Sequence, residues 1–488
     1  MENGKNGRPH AAERATGESP AETRPARTVL MVAAEFPPIK TIGRIRTTKF
    51  INHLEAHGWR AVVLTVVPNG TSAVADPSLE GEIPPGLEVH RAAYPDLEAE
   101  IGRLAKRALR RNGQAPTPAA SAPAYPGSAP AAGKGRGLMD RAHGAVRHVV
   151  RNFLELPDSY SLWALNAARE AERICRSRRI DLVYTTLPPF SAAWVGYRLR
   201  RRGLPWIADY RDLWTGDVLR EWLPAWRTRV ERWLERRLLR RADAVIAVSE
   251  QKTAYLKRLH GRSNIRWATI TNGYDPEEFA GLARRREADG TIRFVFTGRL
   301  FKNRCGYAFA EALGQLKQER PDLAAPVRVQ FLGGVSPEIR GRFDEIIRRH
   351  GLEGQFEFPG DVPHAVAKRA QVDTDYLLLI VDTGATSDGV IPGKLFEYVA
   401  ARRPIFALTD PGATATIIRD GRLGWVMDAE DVAGCKALLA EVLSRPVPER
   451  LDADEDYLRQ FDRRELTGKL AALFDEVAAA GGGGRGAA

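Results

Sequence analysis

The sequence predicts an α/β protein built from two doubly wound units in tandem. Short apolar runs rich in β-branched residues alternate with helical segments along most of the chain, which is the pattern of parallel sheets covered by helices. The chain has 488 residues, which exceeds the roughly 250–300 residues at which a single core stops growing. We therefore expect two domains, each with its own sheet.

The apolar runs give the positions of the predicted strands. Those of the first unit are 29–33, 61–66, 182–186, 206–208, 244–248 and 267–271, and those of the second are 292–296, 327–332, 376–381 and 405–408. Residues 280–290 are charged, lack a strand pattern and form the predicted linker. The expected organisation is a disordered leader at 1–27, a first domain at 28–280, a second domain at 291–478 and a Gly-rich tail at 479–488.

Composition limits the partners. The net charge of +12 indicates anionic partners, which are phosphorylated small molecules, an anionic membrane or nucleic acid. No nucleic-acid recognition motif is visible, so we expect no nucleic-acid partner. The three cysteines lie far apart without a CxxC pair, which predicts neither a disulfide framework nor a zinc site. No apolar run approaches the roughly 20 residues of a membrane span, and no signal peptide is recognisable, so a cytoplasmic location is expected.

A Pro/Ala-rich stretch at 112–137 is predicted to be a flexible insertion in the first domain. Its flanks, 101–111 and 138–156, combine basic and apolar residues. They are consistent with helices lying on the inner face of the cell membrane, and equally with solvated arginine-rich faces. Trp222, Trp226 and Trp233, around another arginine-rich helix, are interpreted as packing residues.

The segment GVIPGKLFEYVAARRPIFAL, residues 389–408, joins a loop, a helix start and a buried strand. Lys394 and Glu397 share one face of this helix because they are three residues apart. An ammonium there can meet a phosphate, and a carboxylate can accept hydrogen bonds from both hydroxyls of a ribose. The alternative is an ordinary surface pair.

A second cationic cluster follows the first strand of the second domain, in FVFTGRLFKNRCGYAFAEAL. Arg299, Lys302 and Arg304 lie where that strand ends. Ligands of open α/β sheets bind outside the carboxyl ends of the strands, so these cations are predicted to bracket a diphosphate. With Lys394 and Glu397 at the same edge of the sheet, they predict a nucleotide site.

The turn EFPPIKTIGRIR, residues 35–46, follows the first strand of the chain. Gly43 allows close approach of the backbone just before a helix, and Arg44 follows it, which suits an anion or a sugar. Neither a Walker loop nor GxGxxG is present. The Asp373-Thr-Asp375 triplet is interpreted as a loop, with no metal bound.

Five motifs in this order resemble glycosyltransferase family 4: EFPP with the following glycine and arginine, ADAVIAVSE, ITNGYDPEEF, FTGRL and GKLFEYVAARRPI. The resemblance implies the GT-B architecture, two Rossmann-like domains facing across a cleft. It also implies retaining transfer from a nucleotide diphosphate sugar held by the second domain to an acceptor held by the first. No obligatory metal and no further cofactor are implied.

The resemblance assigns roles in the second domain. Arg299 matches the arginine of the G-R-L turn, a pyrophosphate ligand, and Arg304 stands where a lysine is usual. Glu397 matches the second glutamate of a paired motif, the one that binds ribose. The first glutamate would fall at Gly389, and the adjacent Asp388 is the candidate substitute.

The segment PWIADYRDLWTGD, residues 205–217, brings Asp209, Arg211 and Asp212 to the cleft. Arg211 stands where many family members have a histidine, and an arginine cannot act as a base at neutral pH. Asp209 or Asp212 is therefore the expected base, and Arg211 is expected to bind phosphate or to fix a carboxylate. A structural ion-pair network is the alternative. In front-face transfer the leaving diphosphate assists deprotonation, and no protein base is needed.

The predicted activity is transfer of a sugar to a lipid-linked or polysaccharide acceptor in cell-surface glycan synthesis, at the membrane's cytoplasmic face. Alternatives are a soluble small-molecule acceptor, a sugar-nucleotide epimerase or hydrolase, and a non-catalytic protein that binds sugar nucleotides.

Overall fold

The structure, a computed structural model, contains two parallel sheets. It describes residues 27–68, 75–95, 156–217, 220, 223–261, 264–286, 289–384, 386–449 and 451–482. The predicted leader, the insertion 112–137 and its basic flanks up to residue 155 lie outside these ranges, as do Trp222 and residues 483–488.

The first sheet has seven strands, all parallel, in the order β3-β2-β1-β4-β5-β6-β7. They are β1 Arg27–Val32, β2 Trp59–Val66, β3 Glu88–Ala92, β4 Leu182–Leu187, β5 Trp206–Tyr210, β6 Ala244–Ala247 and β7 Arg266–Thr269. The accompanying helices are α1 Gly43–Leu54, α2 Ser161–Ser177, α3 Ala192–Arg200, α4 Ala225–Leu239 and α5 Glu250–His260. Short 3₁₀ turns occupy Glu55–His57, Pro77–Glu82 and Pro276–Phe279.

The second sheet has six strands, also parallel, in the order β10-β9-β8-β11-β12-β13. They are β8 Ile292–Thr297, β9 Val327–Leu332, β10 Phe356–Gly360, β11 Tyr376–Ile380, β12 Ile405–Leu408 and β13 Gly424–Met427. The helices are α6 Tyr307–Glu319, α7 Pro321–Ala324, α8 Pro337–His350, α9 His364–Asp373, α10 Gly393–Ala401, α11 Ala413–Asp420, α12 Val432–Leu443, α13 Glu455–Arg459 and α14 Arg463–Gly482, with a 3₁₀ turn at Ser387–Gly389.

The predicted fold class is confirmed, and each predicted strand is present. The three strands that the sequence did not reveal, β3, β10 and β13, lie at sheet edges. Residues of β3 and β10 are mostly half-buried or exposed, in contrast to the fully buried β4 and β5. An edge strand is covered on fewer sides, so it lacks the continuous apolar run by which the central strands were recognised.

Helix α14 crosses from the second domain back to the first. Its side chains Leu466, Leu470, Phe474 and Val477 are buried in one cluster with strand residues of the first sheet. The predicted boundary at residue 478 counts this helix with the second domain, whereas its apolar face packs on the first. Sequence order suggested the assignment, and the burial of that face corrects it.

The carboxyl ends of the two sheets face each other. Ser249, which follows β6, donates a hydrogen bond to the carbonyl oxygen of Gly389 at 2.8 Å. Thr386 donates to the carbonyl oxygen of Gly216, which follows β5, at 3.0 Å. The loops that follow the strands of one sheet therefore contact those of the other, and the cleft lies between them.

Candidate active site

Lys394 lies against the end of β8. Its Nζ is buried, makes no hydrogen bond within the described residues, and sits 3.9 Å from the centre of the Phe296 ring. Burial lowers the pKa of this ammonium well below its usual value, and the Arg304 charge lowers it further. Gly298 has a positive φ of 127°, and a Cβ there would overlap the Lys394 side chain. The glycine thus makes room for the lysine.

Arg304 is held at the same edge by Asp382, two residues beyond the end of β11. Its Nη2 donates to Asp382, and both side chains are largely buried. The guanidinium also lies 4.9 Å from the Phe301 ring centre. These contacts fix the cation beside Lys394, and the charges of Asp382 and Glu397 act on the same ammonium.

Arg299 and Lys302 are more open. Arg299 donates to Asp361 at 2.8 Å, and its side chain is 45% exposed. Lys302 is exposed in the turn that leads to Arg304. Both side chains are accessible to a ligand from solvent.

Glu397 is half-buried on α10, with one oxygen accepting a hydrogen bond from Gln371 at 2.8 Å. The next residue, Tyr398, accepts from the backbone N–H of Thr297 at 2.9 Å and donates to the carbonyl of Leu378 at 3.2 Å. These bonds tie α10 to β8 and β11. The structure thus brings Arg304, Lys394 and Glu397 together at one edge of the sheet.

Gly389, where the family's first glutamate would fall, is buried between the domains. A Cβ at this position would lie 3.1 Å from Cγ of Lys252 and 3.3 Å from both Cβ of Gln251 and Oγ of Ser249. A side chain at this position therefore requires these neighbours to shift by a few tenths of an ångström. Asp388 beside it is exposed, so its carboxylate is accessible from solvent.

In the first domain, Arg211 forms an ion pair with Glu35 at 2.6 Å and donates to the carbonyl of Pro188. Gly43 lies directly against this pair, because a Cβ there would overlap both Glu35 and Arg211. Of the two roles predicted for Arg211, the geometry corresponds to fixing a carboxylate. The close approach predicted at Gly43 is made by this ion pair.

Asp209 is fully buried, and its place differs from the one predicted. Arg46 binds both carboxylate oxygens, with its Nε at 2.7 Å and its Nη2 at 2.9 Å, and Tyr184 donates to the same group. Burial alone would lower the pKa of Arg46, but the charge and hydrogen bonds of Asp209 raise it. The interpretation of Asp209 as a base is therefore corrected: it belongs to a structural ion-pair network.

Asp212 faces the cleft, with its side chain 56% exposed. Lys252 donates to this carboxylate at 3.2 Å and to the carbonyl of Arg211 at 3.1 Å. Partial enclosure by the surrounding protein acts to raise the pKa of Asp212, but the charges of Lys252 and Arg211 outweigh it and hold the pKa below its usual value. The carboxylate is ionised at neutral pH, and of the two predicted bases it is the one that a substrate can reach.

Arg44 donates to the carbonyl of Thr41 and to Glu82, both at 2.8 Å, and is largely buried. It braces the turn before α1 against the 3₁₀ segment Pro77–Glu82.

Sequence reasoning missed Glu35, Arg46 and Lys252 as partners in this network. The charges of Glu35 and Arg46 lie in the motif EFPPIKTIGRIR, whereas Lys252 follows the motif ADAVIAVSE by two residues. Their partners lie 176, 163 and 40 positions away, respectively, and no local pattern reports such contacts.

The Asp373-Thr-Asp375 triplet engages arginines of the linker and its surroundings. Asp375 pairs with Arg284, and Asp373 pairs with Arg369. No group of three or more acidic, histidine or cysteine residues suited to a metal was found within the described ranges. No helix in the described part of the chain is long and apolar enough to cross a membrane.

The GT-B fold class consists of two parallel α/β domains that face each other across a cleft. This chain has that arrangement, with a cluster of cations at the strand ends of its second domain. Residues 107–273 match the family described as Glycosyl transferase 4-like domain. The chain thus has the GT-B fold, and part of its first domain is similar to the glycosyltransferase 4-like domain.

Solved structures show the same architecture. Sucrose-phosphate synthase from Thermosynechococcus elongatus is 14% identical over 93% of this chain and 100% of its own, with a TM-score of 0.60. A UDP-forming α,α-trehalose-phosphate synthase from Burkholderia vietnamiensis is 12% identical over 93% and 100%, with a TM-score of 0.55. Anabaena HepE, solved with UDP and glucose, is 12% identical over 93% and 98%, with a TM-score of 0.52. These likenesses concern the fold. A search of curated protein sequences found no match.

Proposed function

We propose that the protein transfers a sugar, with retention of configuration, from a nucleotide diphosphate sugar to a lipid-linked or polysaccharide acceptor. The observation that carries the donor assignment is the buried Nζ of Lys394, which makes no hydrogen bond within the described residues. A buried ammonium without a hydrogen bond costs free energy, and an anionic ligand at this position removes that cost.

The donor diphosphate is bound by Lys394 and Arg304, which are already fixed, and by Arg299 and Lys302, which are exposed and can close on it. Arginine supplies a bidentate fork that matches phosphate oxygens. Glu397 accepts hydrogen bonds from the ribose hydroxyls, and Asp388 is available to a hydroxyl of the transferred sugar. The Anabaena protein solved with UDP and glucose gives this assignment a precedent within the fold.

These cations also support a reaction without an obligatory metal. Negative charge grows on the diphosphate as the bond to the sugar breaks, and fixed cations stabilise that charge without reorganisation. The cations Arg304 and Lys394 lie together at one edge of the second sheet, and Arg299 and Lys302 follow β8 in the loop that leads to Arg304.

On the acceptor side, Asp212 is the carboxylate that orients the attacking hydroxyl. Its lowered pKa makes it a weak base, so the leaving diphosphate takes the proton in front-face attack. Arg211, Glu35 and Gly43 shape the floor of the acceptor site, and the buried Arg46–Asp209 pair supports it from below.

The lipid-linked or polysaccharide acceptor, used at the cytoplasmic face of the membrane, is supported by the net charge of +12. Proteins of similar fold are named for both kinds of acceptor. One is a lipopolysaccharide outer core galactosyltransferase, and others are sugar-phosphate synthases. A soluble small-molecule acceptor is therefore the alternative that the experiment must distinguish.

The test has two stages. A thermal-shift screen with UDP-, GDP- and other nucleotide sugars identifies the donor, since a ligand at 100 times its Kd stabilises by about 2.7 kcal/mol. Product analysis then compares membrane extracts, soluble sugars and no acceptor. Transfer to lipid-extractable or polymeric material supports the proposal. Turnover of donor without acceptor indicates a hydrolase or epimerase, and donor binding without turnover indicates a non-catalytic binding protein.

A further inference from the structure

Helix α4 carries an exposed apolar stripe. Trp226, Val230 and Trp233 are 42%, 39% and 60% exposed, respectively. They follow the spacing i, i+4, i+7, which places them along one side of the helix. The packing predicted for Trp226 and Trp233 therefore covers each indole only in part. We call this side, with the exposed arginines around it, the α4 face.

The carboxylates of α4 are turned the other way, into the protein. Glu231 is buried and accepts from Arg227 at 2.7 Å and from the indole of Trp214 at 3.0 Å. Glu235 is also buried and accepts from Thr215 at 2.6 Å and from Tyr210 at 3.1 Å. The helix is thus inverted relative to an ordinary amphipathic helix, because its acids are inside and its indoles outside.

The α4 face is cationic as a result. Its exposed arginines are Arg229, Arg232, Arg236 and Arg237. Within the described ranges, none of these four forms an ion pair with a carboxylate. Arg237 lies 5.8 Å from the ring centre of Trp233, so charge and aromatic surface are adjacent. Helix α5 lies beside this face, since Arg236 donates to the carbonyl of Leu259 at 3.3 Å, and α5 carries a further exposed arginine, Arg258.

This combination matches one kind of partner. Tryptophan favours the boundary between headgroups and acyl chains, and arginine reaches the phosphates of anionic lipids from the same depth. A nucleic acid would pair with the arginines and stack bases on the indoles, but it would leave Val230 without an apolar environment, and the sequence carries no nucleic-acid recognition motif. A bilayer surface satisfies both.

The position of α4 also suits a membrane contact. The helix connects β5 to β6 in a parallel sheet, so it runs antiparallel to the strands, and its first turn lies at the edge where they end. That edge borders the cleft. A membrane against the α4 face therefore lies beside the cleft on the side of the first domain.

We propose that the α4 face docks this protein on an anionic lipid bilayer. The inference goes beyond the proposed transfer reaction, because membrane binding is measured without donor or acceptor. Loss of transfer would leave it intact, and loss of membrane binding would leave donor binding intact.

Vesicle flotation tests the proposal with the full-length protein. The vesicles are phosphatidylcholine, alone or mixed with phosphatidylglycerol, at about 0.05 M and about 0.5 M salt, which brackets strong and weak screening. Wild type is expected to float with the anionic vesicles at low salt, to bind them much less at high salt, and to bind the neutral vesicles weakly.

Two variants remove the two components of the face. Replacing Arg229, Arg232, Arg236 and Arg237 with Gln is expected to weaken binding by roughly a hundredfold or more, since each basic residue near the surface contributes about fivefold. Trp233→Ala is expected to weaken it by about tenfold through lost apolar contact. These side chains are exposed, so thermal melting of both variants should match wild type.

Matched controls lie in the second domain. The quadruple change of Arg320, Arg342, Arg348 and Arg349 to Gln removes the same charge from exposed positions, and Val366→Ala removes an exposed apolar group. Both are expected to change binding by less than about twofold. Wild type that ignores anionic vesicles at low salt overturns the proposal. So does binding in which the α4 variants behave like these controls, because the membrane contact would then lie elsewhere in the chain.

Discussion

Lys394, in the proposed donor site, is a single residue whose buried charge lowers the stability of the fold. Its ammonium is buried, lacks a hydrogen bond within the described residues, and has a pKa lowered chiefly by burial. Between the lowered folded pKa and the ordinary unfolded one, the unfolded chain binds more protons. Stability therefore rises with pH across that window, and at neutral pH the lysine destabilises the fold.

We predict that Lys394→Met raises the free energy of unfolding at pH 7 by about 1–3 kcal/mol and abolishes stabilisation by nucleotide diphosphates. Urea unfolding at pH 7, with and without a nucleotide diphosphate, measures both effects. The stability gained over wild type should be smaller near pH 9.5. Lys469→Met, at an exposed position, is the control and should stay within about 0.5 kcal/mol. A variant less stable than wild type at pH 7 would show that the buried ammonium is satisfied.

Glu397 is the residue on which the ribose assignment depends. We predict that Glu397→Ala weakens nucleotide diphosphate binding by about 2–3 kcal/mol, the loss of two charge-assisted hydrogen bonds. The nucleotide affinity of Glu397→Gln should lie between those of wild type and Glu397→Ala, because glutamine keeps an acceptor for Gln371 but removes the charge.

Isothermal titration calorimetry measures this loss. Glu353→Ala, an exposed position in the same domain, serves as the control. Unchanged affinity in a folded Glu397→Ala protein would remove this residue from the donor site.

At the scale of an element, helix α1 contacts three of the ion pairs around the proposed acceptor site. Gly43 at its start lies against the Glu35–Arg211 pair, and Arg46 one turn later holds Asp209. Lys49, a further turn along, pairs with Asp275 at 2.7 Å. Positions 43, 46 and 49 of one helix thus each contact a different ion pair. Gly43 lies against one pair, and Arg46 and Lys49 supply the cations of the other two.

We predict that Gly43→Ala displaces Arg211 and destabilises the protein by about 1–3 kcal/mol, because the added methyl overlaps two charged side chains. Transfer to acceptor should fall further than donor binding does. Thermal melting, donor titration and steady-state rates check this prediction.

The control is Gly341→Ala, in the exposed interior of α8, where a Cβ meets nothing within 4 Å. That change should stabilise by up to about 1 kcal/mol. If Gly43→Ala is as stable as wild type or more stable, the turn can accept a methyl group at this position, and the prediction is wrong.

Strands and the cations at their ends differ in how far the sequence predicts them. The strands buried on both faces, such as β4 and β5, are recognisable because both faces need apolar residues. Edge strands β3, β10 and β13 carry a mixed pattern and were missed. Cations at strand ends could be anticipated from the chain, because a strand and the loop that follows it are local. The partners of charged residues could not be predicted, because they lie far away in the sequence. Asp209 was predicted as a base, whereas the structure shows it held by a bidentate bond to Arg46.

At the scale of the whole molecule, the two domains are joined through more than the linker. Ser249 and Thr386 connect the loops across the cleft, and α14 inserts its apolar face against the first sheet. Phe474 of α14 packs edge-on against Trp59 and Tyr184, with ring centres 5.2 and 5.9 Å apart. Tyr184 in turn donates to Asp209. Helix α14 therefore supports the ion-pair network beneath the proposed acceptor site.

We predict that Phe474→Ala costs about 3–5 kcal/mol, as expected for an aromatic ring removed from a core, and that the loss falls on the first domain. Amide hydrogen exchange should accelerate in β1 and β4 while β8 and β11 stay protected. Phe343→Ala, which removes a fully buried ring from the core of the second domain, should give the opposite pattern. Equal acceleration in both sheets by Phe474→Ala would mean that the domains unfold as one unit, and acceleration confined to the second sheet would contradict the support that α14 gives to the first.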